Sequence, residues 1–286
     1  MKNILVASFS FLVLAAAPVR AQQESWDARL AGCAGEVTVY AADGSPEVSG
    51  DVDMPLEEGD RVVVAEGGWA EVSLDGGSLI TVREKSDFKL EKTAKGDSSF
   101  FLSVGSLLAK IQKLGTQRLK VRTPTAIAAV RGTEFGVEVD GESSHVGVFD
   151  EGKVEVTGAA GGAPELLISN QETSVNKSGT PLHAVQLKRF MIHRALMRGQ
   201  GRRLAAIKAK WKALPPAQRQ EMRKKMMQRM RENRQKLMEK RAAMKQKAEQ
   251  NRRQNAERGQ QRRQENMRKM DERRQKINRG GRREGR

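Results

Sequence analysis

VRTPTAIAAVRGTEFGVEV, residues 121–139, changes character halfway. Its first half is small and apolar, its second half alternates like a strand, and Arg131, Gly132 and Thr133 stand between them. Alternation marks a half-buried strand and a glycine between two such stretches marks a turn, so the junction reads as a corner. Val130 and Phe135 are core candidates on its two sides. Gly132 can take a backbone conformation closed to other residues, and the Thr133 hydroxyl can cap the turn. Arg131 is open to two roles, binding an anionic ligand or satisfying carbonyls and a carboxylate at the bend. Turn chemistry accounts for the motif without a ligand, so the expected role is mainly structural.

On both sides of the corner the pattern is the same. VVV (62–64), AEVSL (70–74), LITV (79–82), FKL (88–90), HVGVF (145–149) and KVEVT (153–157) are short apolar or alternating runs. EGG, DGG, AKGD, DGES and DEG separate them with turn chemistry, so residues 35–182 are expected to form an all-β domain. A repeat underlies it: EGDRVVV, VGSLLAK and EGKVEVT put Gly59, Gly105 and Gly152 before a strand at spacings of 46 and 47 residues. Repeats of that kind stack, which points to a β-roll or short solenoid, with a sandwich as the other architecture.

The N-terminus has the form of a secretory signal. Lys2 precedes an apolar run from Ile4 to Ala17, and VRA at 19–21 supplies the small residues of a cleavage site, so residues 1–21 read as a signal peptide cut after Ala21. No stretch reaches the roughly 20 apolar residues a spanning helix needs, and the mature chain is expected to be periplasmic or secreted. LAGC (30–33) has the form of a lipoprotein box, but Glu24, Asp27 and Arg29 separate it from the apolar run, so Cys33 is not expected to carry lipid. Residues 22–34 read as a linker. As the single cysteine, Cys33 can form only an intermolecular disulfide.

The motifs around the corner resemble the FecR domain family, in which a Thr-Pro pair and small residues precede a Val-Arg-Gly-Thr-x-Phe corner and a later Glu-Gly-x-Val turn. The matching positions are Thr123, Pro124, Ala126, Val130, Arg131, Gly132, Thr133, Phe135, Glu151, Gly152 and Val154. GEVTVY, PLEEGDRVVV, GGWAEVSLDGGSLITV and FFLSVGSLLAKI fit the family's order of strands, so the resemblance covers about residues 35–158. It implies an extracytoplasmic all-β domain without catalytic activity. Founding members relay a transport signal to a sigma factor through a cytoplasmic segment and one transmembrane helix. This sequence opens on a cleavable signal instead, so sigma-factor regulation is not carried over.

The net charge of +17 hides a division: residues 184–286 hold 35 Lys and Arg against 9 Asp and Glu, while residues 22–183 hold 15 against 26. Such asymmetry marks modules with separate roles. Apolar residues at helical spacing predict a helical segment over 183–214, interrupted by GQG at 199–201, and Pro215 and Pro216 suit the start of a new helix. Residues 215–286 then read as a basic helix, coiled coil or partly disordered stretch. Met230, Leu237 and Met244 repeat at seven, but Asn251 and Arg258 break the seam, so a coiled coil is not expected beyond the first turns, and the stretch after Glu249 is expected to order on a partner.

Arg223, Lys224, Lys225, Arg229, Arg252, Arg253, Arg262, Arg263, Arg273 and Arg274 are candidates for binding a polyanion, with an anionic envelope component or an envelope protein as the expected partner. Nucleic acid is the alternative, for which the tail offers only Phe190 and Trp211 to stack on bases. WKALPPAQRQEMRKKM (211–226) also resembles an element of periplasmic helical chaperones, which makes a chaperone-like role a further alternative. His145, His183, His193 and Cys33 are scattered and lack the spacing of a metal or nucleophile-base cluster. No enzyme and no cofactor are therefore expected.

Overall fold

A computed structural model describes residues 25–75, 77–112, 118–210 and 215–280. The chain runs through β1 (Ala28–Ala34), β2 (Val37–Tyr40), β3 (Val48–Ser49), β4 (Pro55–Leu56), β5 (Arg61–Val64), β6 (Trp69–Leu74), β7 (Ser78–Val82), β8 (Ser86–Lys92) and β9 (Asp97–Lys110). It continues through β10 (Arg118–Arg122), β11 (Ala126–Val130), β12 (Glu134–Asp140), β13 (Ser143–Val148), β14 (Val154–Gly158), β15 (Glu165–Leu167), β16 (Gln171–Val175) and β17 (Val185–Gln186). A 3₁₀ turn (Arg189–His193), α1 (Arg194–Lys210) and α2 (Pro216–Gly280) follow. Among the described residues, 25–45 and 50–210 belong to one compact unit, 46–49 and 215–280 to another.

The first unit is built on two sheets that share one strand. In the first sheet the order is β4-β1-β6-β7-β9-β12-β13-β16-β17, all antiparallel. In the second it is β2-β5-β8-β9-β10-β11-β14-β15, antiparallel except for the parallel pair β9 and β10. Residues 97–104 of β9 pair in the second sheet and residues 105–110 in the first, so Gly105 marks the crossing. The sheets bury Leu30, Val72, Ile80 and Val137 in one and Val62, Phe88, Leu102 and Val121 in the other, and in the first sheet β6 from Ala70 and all of β7 are buried on both faces. Phe88 and Phe100 meet with ring centroids 5.4 Å apart.

The 46 to 47-residue repeat is visible as repeated pairing. After Gly59 the chain pairs β5 with β8, forms the β6–β7 hairpin, then pairs β8 with β9. After Gly105 it pairs β9 with β12, forms the β10–β11 hairpin, then pairs β12 with β13. The pairings match but the sheets are exchanged, so successive repeats alternate between the two layers. Each crossing is held in the same way. Gly105 has φ +89° and a Cβ there would stand 2.2 Å from Ser86 Oγ; Gly152 has φ +105° and would meet Thr133 Oγ1 at 2.0 Å. Ser86-Asp87-Phe88 and Thr133-Glu134-Phe135 are thus the same device one repeat apart.

Two boundaries differ from those expected. Residues 28–34, expected within a linker, are β1, paired with β6 and burying Ala28 and Leu30. Its alternation is easy to miss because ARLAGCA uses small residues on its buried face. The expected break at GQG does not occur: α1 runs through Gly199 and Gly201, where Gln200 Nε2 donates to Thr81 Oγ1 at 2.7 Å. Tertiary contact here overrides weak helix propensity.

The second unit contains α2, 65 residues long, which at 1.5 Å per residue spans roughly 100 Å. Pro216 opens it, and the Arg219 amide donates to the Pro215 carbonyl at 3.0 Å, as a proline in the first turn allows. Past Glu249 and Gly259 it continues without interruption to Gly280. Surface support comes from neighbours four apart, among them Lys225 and Glu221 at 2.7 Å and Gln228 and Glu232 at 3.0 Å. The expected signal peptide and Trp211 lie outside the described residues.

Candidate functional site

The corner is a strand junction closed by hydroxyl groups. Thr123 is buried; its Oγ1 accepts from the Ala126 amide at 2.8 Å and from the Ser144 hydroxyl at 2.8 Å. Pro124 is exposed at the turn between β10 and β11. Gly132 has φ +99°, the left-handed region only glycine occupies without strain. Thr133, 3% exposed, donates its hydroxyl to the Glu151 carbonyl, which also accepts from the Glu134 amide at 3.3 Å. The corner and the later Glu-Gly turn therefore meet at one point. Phe135 is fully buried beside it.

Arg131 departs from its expected role. It is exposed, and among the described residues its guanidinium has no carboxylate or hydrogen-bond partner. The bend is satisfied by the Thr133 hydroxyl and backbone amides, which leaves nothing for Arg131 to hold.

Beside the corner a cavity of about 310 Å³ opens between Gly132, Thr133, Glu134 and Glu151 on one side and Gly201, Leu204 and Lys208 of α1 on the other. Lys110 and Glu134 pair across its floor. It is a cleft with a mostly apolar wall and a charged floor, of the size that holds a side chain or small ligand.

The segment that roofs it is the feature the sequence hides. Glu71, Thr81, Leu108, Gly136, Gly147 and Glu172 face one another across six strands as one row of the first sheet. Phe190 lies in the middle of this row, where a Cβ on Gly136 would stand 2.6 Å, and one on Gly147 2.4 Å, from its ring. Two glycines side by side make the pit. Phe149 meets the ring edge-on at 6.4 Å, and Leu108, Leu187 and Met197 complete the buried cluster.

Ion pairs fasten the strap on both sides of that pit. Arg189 reaches Glu138 at 2.5 Å and Asp140 at 3.8 Å, Arg194 and Arg198 each reach Asp150 at 3.5 Å, and Arg203 binds Glu71. Residues 184–210 hold eight Lys and Arg and no acid. The folding back of basic sequence onto the acidic domain is thus carried by this strap, whose residues were absent from the expected polyanion set.

His145 lies in β13 with Nδ1 2.7 Å from Ser174 Oγ, His193 lies on the strap, and His183 is exposed. Burial holds both His145 and His193 below the ordinary histidine value, aided by Arg189 for the first and Arg83 for the second. Among the described residues no three His, Cys, Asp or Glu side chains converge as a metal site. Cys33 sits near the end of β1 with Sγ 3.6 Å from the Gly50 carbonyl, and burial and Asp51 push its thiol upward.

The polyanion candidates stand apart on α2. Lys224, Lys225, Arg229, Arg252, Arg253, Arg262 and Arg263 are exposed and Arg223 is half-buried, while the side chains of Arg273 and Arg274 lie outside the described residues. Lys225 is paired with Glu221.

The family model of FecR protein matches residues 60–155, a range that contains the hydroxyl-closed corner. The chain carries a FecR domain. Two crystal structures described as an anti-sigma factor from Parabacteroides distasonis ATCC 8503 are similar, each at 20% identity and TM-score 0.41. They cover 48% and 46% of this chain, which spans 64% and 62% of theirs, under two thirds of their length. No curated protein matches. In this chain the FecR match stops at residue 155, whereas the fold continues through β17 and the strap.

Proposed function

We propose that the protein is an exported, non-enzymatic FecR-domain module that senses or binds a partner in the bacterial cell envelope, and that α2 attaches it to an anionic envelope component. The FecR match carries the first part of this reading. Export after Ala21 fits the fold: a lipidated start at Cys33 would remove Ala28 and Leu30, both buried in β1. For the helix, the supporting observation is the row of exposed cations on α2 without a continuous apolar seam. Cations spaced along a rod attract a surface or polymer of phosphates more than a pocketed ligand.

The test is binding of the full chain and of residues 215–286 to anionic vesicles, heparin and duplex DNA across a salt series. Binding to vesicles that falls steeply between low and physiological salt supports the envelope reading, since counterion release imposes that slope. Preference for DNA over vesicles at matched charge would move the function to nucleic acid. Absence of binding at low salt would remove the helix from the function altogether.

A further inference from the structure

A second cavity lies on the same sheet, on the other flank of α1. It measures about 360 Å³, and Trp69, Glu71 and Arg83 of the sheet face Gly199, Gln200 and Arg203 of the helix across it. Its charges do not cancel. Glu71 is neutralised by Arg203, but Arg83 has no carboxylate or hydrogen-bond partner among the described residues. The lining therefore carries one uncompensated positive charge at a half-buried position.

Two further features belong to a site and not to a packing gap. Gln200 is only 4% exposed, and while its Nε2 donates to Thr81 Oγ1, its Oε1 is buried with no hydrogen-bond partner. Buried carbonyls are nearly always satisfied, so an orphan acceptor at a cavity wall marks where a donor is missing. Gly32 lies beneath: a Cβ there would stand 2.7 Å from an Arg203 guanidinium nitrogen and 3.2 Å from the Trp69 ring. The absent side chain lets the indole and the guanidinium close together on the strand, setting an aromatic plate beside a cation.

We propose that this cavity binds a small planar molecule that carries an anionic group and a hydrogen-bond donor. The anion pairs with Arg83, whose planar fork suits carboxylate and phosphate alike; the ring lies on Trp69; and the donor satisfies Gln200 Oε1. The site is separate from the corner cavity and from α2, so its test is independent of the envelope reading.

The probes are 4-hydroxybenzoate and 4-hydroxyphenyl phosphate, with 4-hydroxybenzyl alcohol as the neutral counterpart, titrated into the full chain and followed by calorimetry and by amide and indole chemical shifts. At least one anion should bind saturably, shift the Trp69 indole and the Gly32 and Gly199 amides, and bind at least tenfold more tightly than the alcohol; which anion does so separates carboxylate from phosphate ligands. Arg83→Gln should weaken it at least tenfold. At Gly199 an added Cβ enters open space, so Gly199→Leu should fill the cavity and abolish binding while leaving the unfolding midpoint unchanged or higher. Equal affinity for the neutral alcohol, shifts confined to residues 216–280, or undiminished binding by folded Gly199→Leu would each overturn the proposal.

Discussion

Gly136 and Gly147 have ordinary backbone angles, so the reason for glycine is the room that Phe190 takes. Gly147→Ala should therefore destabilise the β unit by about 1–3 kcal/mol through overpacking. The same change in a Phe190→Ala background should cost much less, because the atoms it would meet are gone; denaturant unfolding of the four proteins of this cycle measures the coupling. Equal cost in both backgrounds would mean that the glycines serve the strands themselves. Gly152 differs, since its φ of +105° and its contact with Thr133 act together. Gly152→Ala should cost at least about 1–3 kcal/mol, the range of special-conformation sites, whereas Arg131→Ala should leave stability within about 0.5 kcal/mol. The corner motif was legible from its turn residues. The part played by Arg131 was not, because a guanidinium near a bend looks the same in sequence whether it is bound or free.

Among the elements, the strap is expected to depend on pH through His193 within it and His145 beneath it. His145 faces Arg189, Glu138, Asp140 and Glu172, and His193 faces Arg83 and Glu138. Both have folded values below the unfolded one, so the unfolded or undocked state binds protons more readily. Their contribution to stability is complete above the unfolded value of about 6.5 and is lost as pH falls through it toward the folded values. Strap docking, followed by hydrogen exchange of the Leu187 amide that donates to the Asn170 carbonyl, should weaken between pH 7 and pH 5. A His145→Asn/His193→Asn double variant should flatten that dependence; an unaltered profile would assign it to the carboxylates. For α2, like charges along the rod oppose helix formation until neutralised, so isolated residues 215–286 should gain helicity with anionic vesicles, read by circular dichroism.

At the scale of the molecule, the division of charge does not coincide with the division of structure. A chain ending at residue 182 loses the strap, bares Leu108, Phe149 and the Gly136/Gly147 pit, and should unfold at lower denaturant with exposed apolar surface. A chain ending at residue 210 keeps the strap and should match the full protein in unfolding. Equal stability of the two would show that the strap is dispensable packing. The sequence alone determined the all-β unit, its repeat, the corner and the start and basic character of a helix after Pro215, because alternation, turn glycines, an opening proline and charge runs act over a few neighbouring residues. The continuation of that helix past Glu249 to Gly280 was not expected. Only the tertiary structure decided that β1 belongs to the domain, that successive repeats exchange sheets, and that residues 187–210 belong to the domain despite carrying the tail's charge. Those features rest on contacts between residues far apart in the chain: Gly136 and Gly147 are ordinary strand glycines until Phe190 lies on them, and Glu71 and Arg203 are 132 positions apart. Local pattern contains the propensity for each element, and the partner that each face meets exists only once the chain has closed on itself.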